Sequence, residues 1–184
     1  MKKIMFISDI HGSATCLEKA IKAYKKEKPD VLIILGDILY HGPRNPLPEG
    51  YDPKGVIKQL NELQDDIIAV RGNCDAEVDQ MVLDFDIMQG EARLWIDATQ
   101  IFATHGHLYA NQPPQNLKCG SVFIQGHTHV PIVKKTEQSV WHVNPGSITL
   151  PKEGHPKTYA IFEDKKITVK TIEGDCYIEQ DLRV

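Results

Sequence analysis

What most constrains this chain is the position of its polar residues relative to its apolar runs. Lys3 to Ser8 reads as a buried strand and leads into Ser8-Asp9-Ile10-His11-Gly12. Val31 to Leu35, a continuous β-branched and leucine run, ends at Leu35-Gly36-Asp37, and Ile67 to Val70 ends at Arg71-Gly72-Asn73-Cys74-Asp75. The intervening segments have helical period: Leu17, Ala20, Ile21 and Tyr24 share one face, and Val56, Ile57, Leu60 and Leu63 another. Ser13 or Thr15 is placed to cap the first helix, Thr15 with Glu18 matching a capping box; Pro29-Asp30 stops it, and Asp52-Pro53 opens the second. Asp75 begins a short third helix through Val82, as its cap. Strand, helix, strand, helix, strand demands a parallel sheet with right-handed crossovers. The C-terminal ends of such strands gather along one edge, where ligands bind.

The second half changes character. Leu94–Ile96, Ile101–Thr104, Val122–Gln125, Ile132–Lys135, Val140–Val143, Tyr159–Phe162 and Ile167–Thr171 read as short strands with little helix between them. Glu163-Asp164-Lys165-Lys166 joins the last two as a hairpin loop. The simplest assembly is an α/β half and a β-rich half sharing one core, as two sheets packed face to face. A chain of 184 residues with 41% hydrophobic content suits one domain spanning 1–184. Its 21 basic against 25 acidic residues, a formal charge of −4, argue against an electrostatic grip on nucleic acid or an anionic membrane. Apolar stretches of four or five residues are too short to span a bilayer, and the N-terminus meets Asp9 too early for a signal peptide. Cys16, Cys74, Cys119 and Cys176 show no paired spacing, so four reduced thiols in a cytoplasmic protein are expected.

Two strands of the second half also end in polar clusters, Ala103-Thr104-His105-Gly106-His107 and Gln125-Gly126-His127-Thr128-His129. Five of the eight histidines thus lie in three strand-end clusters. Any one of these residues alone is a turn or capping residue; Asp9 by itself would cap the following helix. The same explanation must be repeated for every cluster, and the set is better explained by one centre. Asp-x-His and His-x-His place two side chains on the same side of an extended chain. Carboxylate, imidazole and amide without thiolate suit Mn²⁺, Fe or Zn²⁺ at a hydrolytic centre rather than a structural zinc.

The order Asp9-x-His11, Gly36-Asp37, Gly72-Asn73, His105, Gly126-His127-x-His129 resembles the signature of the calcineurin-like metallophosphoesterase superfamily. Gly36-Asp37 with His41-Gly42-Pro43-Arg44-Asn45, Val70-Arg71-Gly72-Asn73-Cys74-Asp75 and Asn144-Pro145-Gly146-Ser147 are similar to its bacterial YfcE-type phosphodiesterases. The resemblance covers essentially the whole chain, though after Ser147 by length and strand content more than by motif. It implies an α/β fold, a four-layer α/β/β/α sandwich of two mixed sheets flanked by helices, and a phosphoric diester hydrolase with two divalent metal ions. Mn²⁺ is the first choice, with Ni²⁺, Fe or Zn²⁺ as alternatives. Asp9, His11 and His129 would hold one ion and Asn73, His105 and His127 the other, with Asp37 bridging. His107 is a further ligand or, preferably, a substrate or supporting residue. Dimers or tetramers are implied by the resemblance alone.

Two such ions lower the pKa of a shared water to about 7, giving a hydroxide that attacks phosphorus in line. Two divalent cations, Asp9, Asp37 and one hydroxide leave a single net positive charge, which a phosphodiester neutralises and a monoester overshoots. Asp37, Asn73 and His105 are thus placed at the catalytic centre, together with Cys74. Much of the superfamily has histidine directly after the asparagine, where it helps protonate the leaving oxygen. Cys74 is a poor donor there, its reference pKa being ~8.5, so aryl-type leaving groups are expected to react best; its other reading is a small packing residue. The proline-rich loop His41–Asp52 follows Asp37 and is pre-ordered. Its Arg44 and Asn45 are the candidates for contacting a small phosphodiester, or else a solvated turn. Asn144-Pro145-Gly146-Ser147 closes the pocket floor or buttresses His127 and His129, and Arg71 is structural. The alternatives are a phosphomonoesterase or nucleotidase using the same ions, and a non-catalytic interaction subunit of the same fold.

Overall fold

The computed structural model describes residues 2–110 and 112–183. Three parallel strands, β1 (Ile4–Ile7), β2 (Val31–Ile34) and β3 (Ile67–Ala69), form the start of a six-stranded sheet. They are linked by α1 (Ala14–Glu27) and α2 (Pro53–Asn61), and a four-residue α3 (Glu77–Gln80) follows β3. The second half supplies β4 (Glu91–Ile96), β5 (Thr99–Thr104), β6 (Val122–Gln125), β7 (Ile132–Lys135), β8 (Trp141–Asn144), β9 (Thr158–Glu163), β10 (Lys166–Thr171) and β11 (Cys176–Asp181). The two mixed sheets run β11-β10-β9-β1-β2-β3 and β4-β5-β6-β8-β7.

The chain halves do not map onto the sheets. β9 leaves the second half and pairs antiparallel with β1, Met5 opposite Ile161, carrying β10 and β11 with it. β11 escaped the sequence reading because it is an outer strand with little buried surface, Cys176-Tyr177-Ile178-Glu179-Gln180-Asp181, and so lacks a clean apolar run. The β9–β10 hairpin falls where expected. Its two turn residues, Asp164 and Lys165, both have positive φ (49° and 56°), as a two-residue turn matched to strand twist requires.

Ser13, not Thr15, caps α1: its hydroxyl accepts from the Cys16 N–H and donates to the Glu49 carbonyl. Asp52 makes no capping bond to α2, whose start is fixed by Pro53 at its first position. Ile4, Phe6, Ile33, Leu35, Ile101, Ile124 and Val143 interleave between the sheets as one core. On the other face of the larger sheet, Met5, Ile7, Leu32 and Ile34 meet Leu17, Ala20, Val56 and Leu60 of α1 and α2. The smaller sheet's outer face packs Phe102 and Phe123 under Leu117 and Tyr109, so the fourth layer is built of turns between β5 and β6. No helix among the described residues is long and apolar enough to cross a membrane.

Candidate metal centre

β1, β2 and β3 run parallel in one sheet and β5, β6 and β8 parallel in the other, and their C-terminal ends deliver the side chains singled out by sequence. Asp9 and His11 follow β1, Asp37 follows β2, Asn73 follows β3, His105 follows β5, and His127 and His129 follow β6. Asp9, Asp37, His11, His105 and His129 are all buried. Asp9, His11, Asp37, His127 and His129 have φ between 48° and 67°. This left-handed region costs a non-glycine residue roughly 1–2 kcal/mol. Strain of this kind gathered at one place marks a functional site.

The loops that hold this backbone are tightly braced. Glycine is obligatory where the β2 and β3 ends meet, since a Cβ on Gly36 would collide with the backbone of Gly72 and one on Gly72 with Asp37. The carboxylate of Asp75 sits beneath them, accepting from the N–H groups of Asp37 (2.9 Å), Ile38 (2.8 Å) and Gly72 (2.7 Å). Asp75 is therefore not the cap of α3; Ala76 occupies that position, and the Asp79 carboxylate accepts the Ala76 N–H. Arg71 is structural as expected, reaching the Asp75 carbonyl and Glu77. From the other sheet, Asn144 donates to the Gly126 carbonyl and the Thr128 hydroxyl, and Ser147 donates to the Asp9 carbonyl. The Asn144–Ser147 segment thus buttresses the turn carrying His127 and His129 and ties it to Asp9.

The imidazoles are oriented from behind. Nδ1 of His11, His105 and His129 lies at hydrogen-bond distance from the carbonyls of Tyr40, Leu35 and Leu150. A carbonyl only accepts, so Nδ1 carries the proton in each ring and Nε2 of the neutral ring presents a lone pair. These lone pairs face other acceptors. His11 Nε2 is 3.3 Å from His129 Nε2, His129 Nε2 is 3.2 Å from Asp9 Oδ1, and His105 Nε2 is 3.0 Å from Asn73 Oδ1. His127 Nδ1 lies 3.2 Å from His105 Nε2. At Asp9, His11 and His129 the acceptors converge on one another away from water, which is stable only around positive charge. Asp9 Oδ1 is buried with no hydrogen-bond donor of its own, while Oδ2 takes the Ser8 hydroxyl and the His127 N–H.

The donor set therefore fits cations. Asp9, His11 and His129 come together as one group of candidate ligands, and Asp9, Asp37 and His105 as another. Asp37 stands between them, Oδ2 at 3.7 Å from His11 Nε2 and Oδ1 at 3.5 Å from His105 Nε2. The same demand shows in the proton affinities. Burial opposes charge on both Asp9 and His129, yet their contact wins: Asp9 is held below the usual carboxylate range and His129 is raised. His127 and His107 are lowered, chiefly by burial and then by neighbouring His105.

A cavity of about 430 Å³ opens over this centre, lined among others by His11, Asp37, Arg44, Asn45, Asn73 and Cys74. Cys74 is half-buried; its N–H donates to Asp37 Oδ1 (2.8 Å), its Sγ accepts from Asn73 Nδ2, and burial with the Asp37 charge pushes the thiol far above its ordinary pKa. Arg44 and Asn45 line the cavity. His107 does not; its ring leans on those of His105 and His127 at centroid distances of 5.3 and 6.1 Å. Lys152 also lines the cavity and was missed, because it lies in a polar turn beyond the last strand-end motif.

Two sheets that offer their strand ends to one carboxylate-and-imidazole centre make a site suited to divalent cations at the sheet edge. The chain belongs to the calcineurin-like phosphoesterase superfamily, whose domain model matches residues 1–166. Phosphodiesterase YfcE of Escherichia coli K12 is 41% identical over 180 residues, covering 98% of this chain and 97% of that protein. The solved structure of that phosphoesterase aligns with a TM-score of 0.93 over 98% of this chain and 99% of its own, at 40% identity. A phosphodiesterase of Methanocaldococcus jannaschii is 27% identical across 89% of this chain and 95% of its own length.

Proposed function

We propose that the chain hydrolyses small phosphodiesters, with two divalent cations held at the strand ends. Asp9, His11 and His129 would hold one and Asn73, His105 and His127 the other, with Asp37 shared between them. The observation that carries this reading is the convergence of buried imidazole lone pairs on two carboxylates, one of whose oxygens has no donor. Bound there, the cations supply acidity to a water and positive charge to the phosphoryl oxygens. The chain's own part is to hold that geometry and exclude competing partners: carbonyls of Tyr40, Leu35 and Leu150 fix the histidine tautomers, and Asp75 and Ser147 fix the carboxylate-bearing turns.

Cys74, set beside Asp37 at the cavity wall, is a weak donor, so the leaving oxygen departs without help from this position and aryl esters are favoured. Arg44 and Asn45 contact the substrate, and His107 supports the His105 and His127 rings. Mn²⁺ suits the mixed carboxylate, amide and imidazole donors. The relatives named phosphodiesterase support the reaction class.

The test is hydrolysis of an aryl phosphodiester and the matching aryl phosphomonoester after chelation and re-addition of single metals. The expected outcome is loss of activity on chelation, recovery greatest with Mn²⁺, and faster diester than monoester turnover. A diester rate indistinguishable from buffer with every metal would overturn the reading.

A further inference from the structure

Arg44 stands apart from the chain's other arginines, and Lys152 shares its cavity. Of the four arginines, Arg71 pairs with Glu77 at 3.4 Å, Arg93 with Glu91 at 2.9 Å and Arg183 with Asp181 at 2.7 Å. Arg44 meets no carboxylate among the described residues, and it is the arginine that lines the cavity. Lys152 lines the same cavity and likewise has no carboxylate partner among the described residues. The sole carboxylate among the lining residues is Asp37, which faces inward between His11 and His105.

Both cations are carried on fixed backbone. The turn holding Arg44 is closed by the Asn45 N–H on the Gly42 carbonyl (3.3 Å) and by Asn45 Nδ2 on the His41 carbonyl (2.8 Å), with prolines at 43 and 46. The Lys152 N–H donates to the His129 carbonyl (3.3 Å), in the segment whose Leu150 carbonyl orients the His129 ring. A singly charged diester already balances two divalent ions, two carboxylates and a hydroxide. Two further cations at the cavity rim, both exposed and without a carboxylate partner among the described residues, are placed to attract more negative charge than the reacting phosphate carries. The volume of about 430 Å³ is that of a small-molecule site, larger than a phosphoryl group needs.

We propose that the cavity selects phosphodiesters bearing a second anionic group away from the scissile phosphorus, and that Arg44 and Lys152 bind that group together. The proposal rests on the phosphodiesterase reading above and adds the substrate class to it. The matched probes are the p-nitrophenyl ester of thymidine 5′-phosphate with and without a 3′-phosphate, which share one leaving group and differ only at the remote 3′-position. The 3′-phosphate is expected to raise kcat/KM about tenfold or more at low salt, mainly through KM, as two partly screened charge-assisted contacts would. The preference shrinks as salt is added. In Arg44→Gln with Lys152→Gln the ratio between the two esters falls close to one; Arg44→Lys, which keeps the charge, retains most of it.

Equal kcat/KM for the two esters, or a preference that survives the double substitution, overturns this proposal and leaves the phosphodiesterase reading standing. Hydrolysis of neither ester overturns both. More efficient turnover of p-nitrophenyl phosphate than of either diester assigns the two cations to the reacting phosphate itself and also overturns the proposal.

Discussion

Cys74 is the residue at which the chemistry of this centre is most open to change. Its N–H belongs to the Asp37 support, but its side chain brings to the cavity wall only a thiol, half-buried and beside a carboxylate. Cys74→His leaves the backbone bond in place and adds a ring able to donate a proton. Turnover of alkyl phosphodiesters, whose leaving oxygen needs that proton, is expected to rise about tenfold or more, toward the range of general acid catalysis, while aryl esters change little. Rates on a paired alkyl and aryl diester check this. An equal change on both would mean that the residue at 74 acts through packing or metal spacing instead.

At the scale of elements, the centre depends on turns held by their neighbours more than on the strands that lead into them. Asp75 shows this best: one carboxylate collects three backbone donors from the turns after β2 and β3. In Asp75→Asn the amide N–H₂ opposes at least one of those donors, the Ile38 N–H in one orientation and the Asp37 and Gly72 N–H groups in the other. A loss of about 2–4 kcal/mol is expected from the unsatisfied buried groups, with metal affinity weakened about tenfold or more. Urea denaturation and metal titration calorimetry measure the two effects; unchanged metal affinity at reduced stability would confine Asp75 to the fold. The strand-end motifs were legible in sequence because strand period and polar punctuation are local signals, so Asp9, His11, Asp37, Asn73, His105, His127 and His129 could be singled out and all meet here. What stayed hidden was long-range. Asp75 reads as a cap because its donors lie in another turn, β9 reads as part of the β-rich half because its partner is β1, and Lys152 follows no motif at all.

The whole molecule also carries a pH dependence with no tie to the active centre. His142 lies on β8 opposite Phe123, on the outer face of the smaller sheet, with Nε2 buried and without a partner. Burial, assisted by the charge of Lys134, lowers its pKa from 6.5 to about 4. The unfolded chain therefore binds a proton between those values that the folded chain refuses. Stability contributed by the neutral ring is intact above pH 6.5 and is lost as the pH falls toward 4, by about 3 kcal/mol in all. His142→Leu keeps the site apolar and cannot take up the proton. Urea midpoints measured from pH 7 to pH 4 should thus fall more steeply for the parent protein than for this variant, the curves parting below pH 6.5. Histidines at the cation centre add their own acid sensitivity to both proteins and cancel in the difference. Parallel curves would mean that the smaller sheet opens enough to hydrate His142, and that the turn layer over Phe102 and Phe123 seals that face less completely than the packing of Leu117 and Tyr109 implies.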